Sequence, residues 1–176
     1  KLIYEWMQLK KQSNKKKKLR YGENPNQKSF ILNSTSSSIF DYQISGKEIG
    51  YNNIIDVDSG IKCLKEFTKP TCIIIKHNNP CGVASSNNIN LAFKRAYESD
   101  SKSAFGGVVL LNRKIDESFS NFISKFFFEV IVAPSFEKKA VKALSQKKKL
   151  ILLKLGNISL KKQESRSTLF GTIYQN

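Results

Sequence analysis

Apolar residues along this chain follow two rhythms, with a break near Tyr51. At the start, Ile3, Trp6, Met7 and Leu9 share one face of a helix over residues 1–10. Residues 11–18 (KQSNKKKK) carry no apolar side chain and predict a solvated linker. Residues 19–53 show no sustained period. Gly22 and Pro25 punctuate a loop there. The stretch from Ser34 to Ser38 reads as a hairpin turn between Phe30-Ile31-Leu32 and Ile39-Phe40. After Tyr51 the pattern sharpens. Ile54, Ile55, Val57, Ile61, Leu64 and Phe67 suit a helix with Asp residues in its first turns, closed by Pro70. Cys72 to Ile75 is a continuous apolar run, as expected of a strand buried on both faces. A loop is predicted from Lys76 to Ser86. Helices at about 90–99, 115–125 and 136–145 then alternate with strands at 107–111, 128–132 and 150–153. Strands alternating with helices imply an α/β layer whose sheet is mainly parallel and flanked by helices.

Composition narrows the function classes. A chain of 176 residues, 40% hydrophobic, is the size of one ordinary domain with a real core. Lys1 in place of Met reads as an excised segment. No apolar run approaches the roughly 18–20 residues of a membrane helix. Cys63, Cys72 and Cys81 are odd in number and lack a C-x-x-C pair, which favours a reducing compartment over a disulfide framework. The net charge of +16 invites a nucleic-acid reading. Yet Arg, the residue of bidentate recognition, occurs only as Arg20, Arg95, Arg113 and Arg166. Abundant Lys, Asn and Ile share A/T-rich codons, so the charge reads as compositional drift rather than a nucleic-acid footprint.

The chain has one histidine, His77, in Lys76-His77-Asn78-Asn79-Pro80-Cys81-Gly82 after the Ile-rich strand. In open α/β sheets the C-terminal ends of strands face the binding crevice. An imidazole there can serve as a general base, with the Lys76 ammonium disfavouring the imidazolium and stabilising developing negative charge. A loop histidine beside a solvated lysine is the alternative. Zinc deaminases need H-x-E and P-C-x-x-C; here Asn79 replaces the glutamate and Ala84 the second cysteine, so zinc catalysis is not expected. Ser103-Ala104-Phe105-Gly106-Gly107 lets backbone approach a ligand or makes a tight turn. Glu129 is either an acceptor for a ligand amine or hydroxyl or a salt-bridged strand carboxylate. Arg20, beside Tyr21, suits a phosphate or is a surface residue.

Taken in order, these segments resemble one family. Leu19-Arg20-Tyr21-Gly22-Glu23-Asn24-Pro25, Gly46-Lys47-Glu48, Tyr51-Asn52-Asn53 and the Lys76-to-Ala84 stretch are similar to the bifunctional AICAR (aminoimidazole carboxamide ribotide) formyltransferase/IMP cyclohydrolases. So are Ser103 to Gly107 and Glu129 to Phe136. The likeness is colinear over about residues 19–155, with a weaker tail from Arg166 to Gln175. It implies a cytidine-deaminase-like lobe without zinc. Residues 1–18 would be the end of a preceding cyclohydrolase domain and its linker, and 19–176 the first lobe of the formyltransferase domain, the second being absent. The reaction implied is formyl transfer from 10-formyltetrahydrofolate to the 5-amino group of AICAR in cytoplasmic purine biosynthesis. The resemblance assigns Lys76 and His77 as catalytic. It places Arg20 and Tyr21 at phosphate and ribose, and Asn52, Gly106 and Glu129 along the nucleotide pocket, with no metal.

Two positions depart from the family pattern. Asn26 stands where a histidine usually follows Asn-Pro, and Phe170 replaces the first of two glycines before the C-terminal motif. Half a domain is expected to be inactive alone, to expose apolar surface and to self-associate; its parent is expected to be a homodimer. No ring-closing activity is expected without the cyclohydrolase domain. The alternatives are a decayed nucleotide-binding or scaffold lobe and, behind it, a basic nucleic-acid-binding protein.

Overall fold

The apolar runs become strands of one sheet, and the intervals between them become helices on both of its faces. The computed structural model describes residues 16–32, 38–156 and 164–175. The helix expected over residues 1–10, residues 11–15 of the linker and most of the Ser34–Ser38 turn lie outside the described residues. A mixed α/β architecture results, built on six strands: β3 (Gln43–Ser45), β4 (Thr71–Lys76), β5 (Asn79–Ser85), β6 (Val108–Leu111), β7 (Val130–Ala133) and β8 (Ile151–Lys154). Their spatial order is β3-β8-β7-β6-β4-β5.

Strand parity divides the core. Cys72 and Ile74 of β4 point to one face, where α2 (Ile89–Ser99), α4 (Glu117–Ile123) and α5 (Lys138–Leu144) supply Phe93, Phe119 and Leu144. Ile73 and Ile75 point to the other, against α1 (Tyr51–Leu64) with Val57 and its partly buried Ile54 and Ile61. This is the period-2 alternation of a strand covered on both sides. A short helix, α3 (Ser101–Ala104), follows α2, with Asp100 accepting from Ser103 N at 3.0 Å as its cap.

The sheet is not mainly parallel. Only β6/β7 and β7/β8 are parallel, whereas β3/β8, β4/β5 and β4/β6 are antiparallel. The expectation failed because residues 76–86 are not a loop. His77 and Asn78 form a two-residue turn, Lys76 pairs with Asn79, and the chain returns as β5. Asn79–Ser85 (NPCGVAS) lacks the branched residues of a typical strand. Pro80 is tolerated because β5 is an edge strand.

Gly82 has a packing role in that strand. A Cβ on it would lie 2.0 Å from the carbonyl oxygen of Ala96 in α2. Gly82→Ala must therefore lift α2 off the sheet, and we expect a loss of about 2–3 kcal/mol, read as a lower urea midpoint at unchanged slope.

Two N-terminal readings also change. Lys16–Lys18 of the expected solvated linker forms strand β1, with Lys16 and Lys18 exposed, antiparallel to β2 (Phe30–Leu32) and with Lys17 opposite Ile31. The Nζ atoms of Lys16 and Lys17 lie over the rings of Phe30 and Phe40, at 3.8 and 3.3 Å from the centroids. Ile39–Phe40 is no hairpin partner of β2; it belongs to a 3-10 turn, Ile39–Tyr42. At the other end β9 (Glu164–Thr168) and β10 (Gly171–Gln175) form a hairpin whose turn residues Leu169 and Phe170 are fully exposed.

Candidate active site

The direction of β4 fixes where the site lies. Because β4 runs antiparallel to β6, its C-terminal end sits beside the N-terminal ends of β6 and β7. Lys76 and His77 therefore meet Gly106 and Glu129, which precede those two strands, on one rim of the sheet. The expected crevice at the C-terminal ends of the parallel strands is the opposite rim. There Leu111, Ala133 and Leu155 line a separate, mostly apolar pocket of about 190 Å³ with Ile61 and Phe67.

The cleft at the first rim also has a volume of about 190 Å³. It brings together the residues that the resemblance assigned to catalysis or substrate binding: Arg20, Tyr21, Asn52, Lys76, His77, Gly106 and Glu129. Lys47, Glu48, Gly50, Tyr51, Asn53 and Asp56 complete its lining. The charges are balanced in kind, with Arg20, Lys47 and Lys76 set against Glu48, Asp56 and Glu129, so it is not a simple basic patch.

Each group is held by identifiable contacts. The Lys76 ammonium donates to the carbonyls of Phe105 (3.0 Å) and Gly106 (3.2 Å). Gly106 has φ +68°, and a Cβ there would lie 3.3 Å from both Lys76 Nζ and the Phe127 ring. Its backbone thus serves a lysine of the same chain, which sequence alone left open between ligand approach and tight turn. Glu129 lines the cleft, and its Oε2 accepts from Asn53 Nδ2 at 3.2 Å and lies 3.6 Å from Lys47 Nζ, the ion-paired carboxylate of one of its two sequence readings. Asn52 donates to the Glu23 carbonyl at 3.1 Å, tying α1 to the Arg20–Pro25 loop. That loop is closed by Gly22 N donating to Gln27 O at 2.9 Å. Arg20 is exposed, its guanidinium carbon 5.6 Å from the Tyr21 ring centroid.

Sequence reasoning missed Lys47, Asn53 and Asp56 as site residues. Lys47 sits in a loop organised by Gln43, whose side chain donates to the Lys47 carbonyl at 2.7 Å and accepts from Ile49 N at 3.2 Å. Asn53 is one position from Asn52, and the adjacent pair was the available signal. Asp56 was read only as a helix-dipole acid; it lies in the second turn of α1 and accepts from Asn78 N at 2.6 Å.

The cysteines do not offer a nucleophile. Burial, then Glu66, pushes the Cys63 thiol up. Burial, reinforced by Cys81, pushes Cys72 far up, and burial also dominates the upward shift at Cys81. A thiol raised this way is protonated at neutral pH. Among the described residues no group of three or more His, Cys, Asp or Glu could hold a metal ion. Among them, too, no helix is long and apolar enough to cross a membrane.

Comparison with known proteins identifies relatives of this chain. The profile of the AICARFT/IMPCHase bienzyme family matches residues 2–176. The chain is 49% identical over 146 residues to the bifunctional purine biosynthesis protein PurH of Caldicellulosiruptor bescii, covering 80% of this chain and 28% of that protein. It is 46% identical over 147 residues to PurH of Acetivibrio thermocellus, covering 81% and 29%. For PurH of Bacillus cereus (strain AH187) the figures are 45% over 157 residues, 87% and 30%. The chain therefore spans less than a third of the length of these curated relatives. With the profile matched over nearly its whole length and these motifs gathered in one cleft, the chain belongs to the AICARFT/IMPCHase bienzyme family.

Proposed function

We propose that this chain is the first lobe of a formyltransferase domain, from about residue 19, with residues before it coming from a cyclohydrolase domain and linker. The complete protein moves a formyl group from 10-formyltetrahydrofolate to the 5-amino group of AICAR. The observation that carries this reading is the convergence of Arg20, Tyr21, Asn52, Lys76, His77, Gly106 and Glu129 on one cleft. These segments are far apart in sequence and would have no common reason to meet if each were only a turn or a surface charge. The cytidine-deaminase-like description of the lobe belongs to the same proposal.

In this reading the nucleotide enters with its phosphate toward Arg20 and the start of α1. That helix begins at Gly50 without a side-chain cap, and its first residues line the cleft, which favours an anion. The 5-amino lone pair is delocalised into the imidazole carboxamide, so attack needs help. His77 takes the amine proton as nitrogen bonds to the formyl carbon. Lys76 stabilises the tetrahedral oxyanion. Collapse breaks the bond from that carbon to the folate nitrogen, which leaves with the proton that His77 took from the amine. Glu129, braced by Asn53 and Lys47, faces the nucleotide's hydrogen-bond donors.

The folate site and further nucleotide contacts would come from a second lobe and a partner subunit. Exposed apolar groups suit such cover: Phe105 and Phe127 meet beside Gly106 with tilted rings and centroids 4.8 Å apart, and Leu169, Phe170, Ile173 and Tyr174 project from the β9–β10 hairpin. A homodimeric, cytoplasmic parent enzyme fits this reading. The test is an assay of the complete protein for formyl transfer between the two named substrates. Turnover supports the proposal. A folded protein that binds AICAR without turnover would move the reading to a nucleotide-binding lobe that has lost catalysis, and Asn26 would be the first position to revert.

A further inference from the structure

The turn that presents His77 has unusual backbone geometry. His77 and Asn78 have φ of +52° and +64°, angles that side chains other than glycine seldom adopt. A two-residue hairpin of this hand needs positive φ at both central positions, and Asn-Gly or Asp-Gly is the usual solution. Asparagine tolerates this region at position 78, but His77 is neither glycine nor asparagine, and contacts from outside the hairpin favour the conformation. They come from one helix. Asp56 of α1, 9% exposed, accepts a hydrogen bond from Asn78 N at 2.6 Å, across a separation of 22 residues. One helical turn on, Ser59 Oγ donates to Asn78 Oδ1. A bond from a backbone N–H to a carboxylate is charge-assisted and stronger than a neutral one.

Resting on the formyl-transfer reading above, we propose that Asp56 is a positioning residue, its carboxylate holding the His77–Asn78 turn so that the imidazole is presented to the cleft. Asp56 touches the backbone of Asn78 and acts through it. Misplacing a reacting group by about 1 Å can cost on the order of 100-fold in rate. Its loss should therefore appear in kcat rather than in affinity for the nucleotide.

The experiment compares the complete protein with Asp56→Ala, Asp56→Asn and the double variant Asp56→Ala/Asn78→Gly. Asp56→Ala should lower kcat for formyl transfer about 10- to 100-fold, with KM for AICAR changed by no more than about threefold. Asp56→Asn keeps an oxygen acceptor and should retain most of kcat. Glycine at position 78 takes positive φ freely, so the double variant should recover at least about tenfold over Asp56→Ala, a rescue that general destabilisation would not give. The Asn78 amide should exchange slowly with solvent in the unmutated protein and at least about tenfold faster in Asp56→Ala. Retention of kcat within about twofold in Asp56→Ala would overturn the proposal. So would equal loss in all three folded variants, which would make the carboxylate a reacting group. Fast exchange of the Asn78 amide in the unmutated protein would overturn it even if Asp56→Ala fails to fold. Absence of turnover in the unmutated protein sinks the formyl-transfer reading, and amide exchange then still decides whether Asp56 holds the turn.

Discussion

His77→Asn in the complete protein lowers kcat for formyl transfer by about 10²- to 10⁴-fold, the usual worth of a positioned acid–base group. Asparagine is the informative replacement because it tolerates the positive φ that position 77 demands. The turn then survives while the imidazole is lost, whereas alanine would change both. The His77 side chain is exposed and makes none of the core contacts, so thermal stability should move little. KM for AICAR should also hold, since neither the Arg20 loop nor the first turn of α1 is touched. Parallel steady-state kinetics and thermal melts check this. A folded variant that retains more than about a tenth of the parent kcat would remove His77 from the role of base.

Phe93→Ala carries the largest expected stability loss, about 3–5 kcal/mol. Phe93 is fully buried, and its ring packs against Phe119, Phe122, Phe126 and Phe128 with centroids 5.8, 5.6, 5.2 and 5.9 Å away. All four pairs are edge-to-face, a favoured aromatic geometry. Truncation leaves a hole that these rings, anchored on α4 and the entry to β7, can only partly fill. For a chain of this size the melting midpoint should fall by roughly 6–20 °C. The effect should reach the site as well. Phe126 and Phe128 anchor on Phe93, Phe127 turns outward to Phe105, and the next residue is Glu129. A loss below about 1.5 kcal/mol in urea unfolding would mean the cluster does not pack as described.

What the sequence disclosed followed from physics that is local to it. Ile73–Ile75, Val108–Leu111, Val130–Val132 and Ile151–Leu153 are runs with one sensible burial, and they lie in strands within two residues of expectation. Strand direction was not local. It turned on whether Asn79–Ser85 was loop or edge strand, and the proline and glycine in that segment argued for loop while the sheet used it as a strand. The triple lysine of β1 was hidden for a related reason: two edge strands can hold charged side chains over aromatic rings, and no hydrophobic period records it. Among site residues, those found were found through ordered motifs. Lys47 and Asn53 stood inside such motifs and Asp56 outside them, yet all three were missed, because their partners, Glu129 and Asn78, are set by tertiary pairing that spacing does not reveal.

The grip on Lys76 has a stoichiometric consequence. An ammonium carries three hydrogens, and two of them go to the carbonyls of residues 105 and 106. One hydrogen is left, and its direction is set by the other two. A ligand oxygen can therefore take a single bond from this lysine along a single bearing, and the charge is already oriented before any ligand arrives. What looks like a flexible four-carbon side chain behaves at this position as a fixed, one-valent donor.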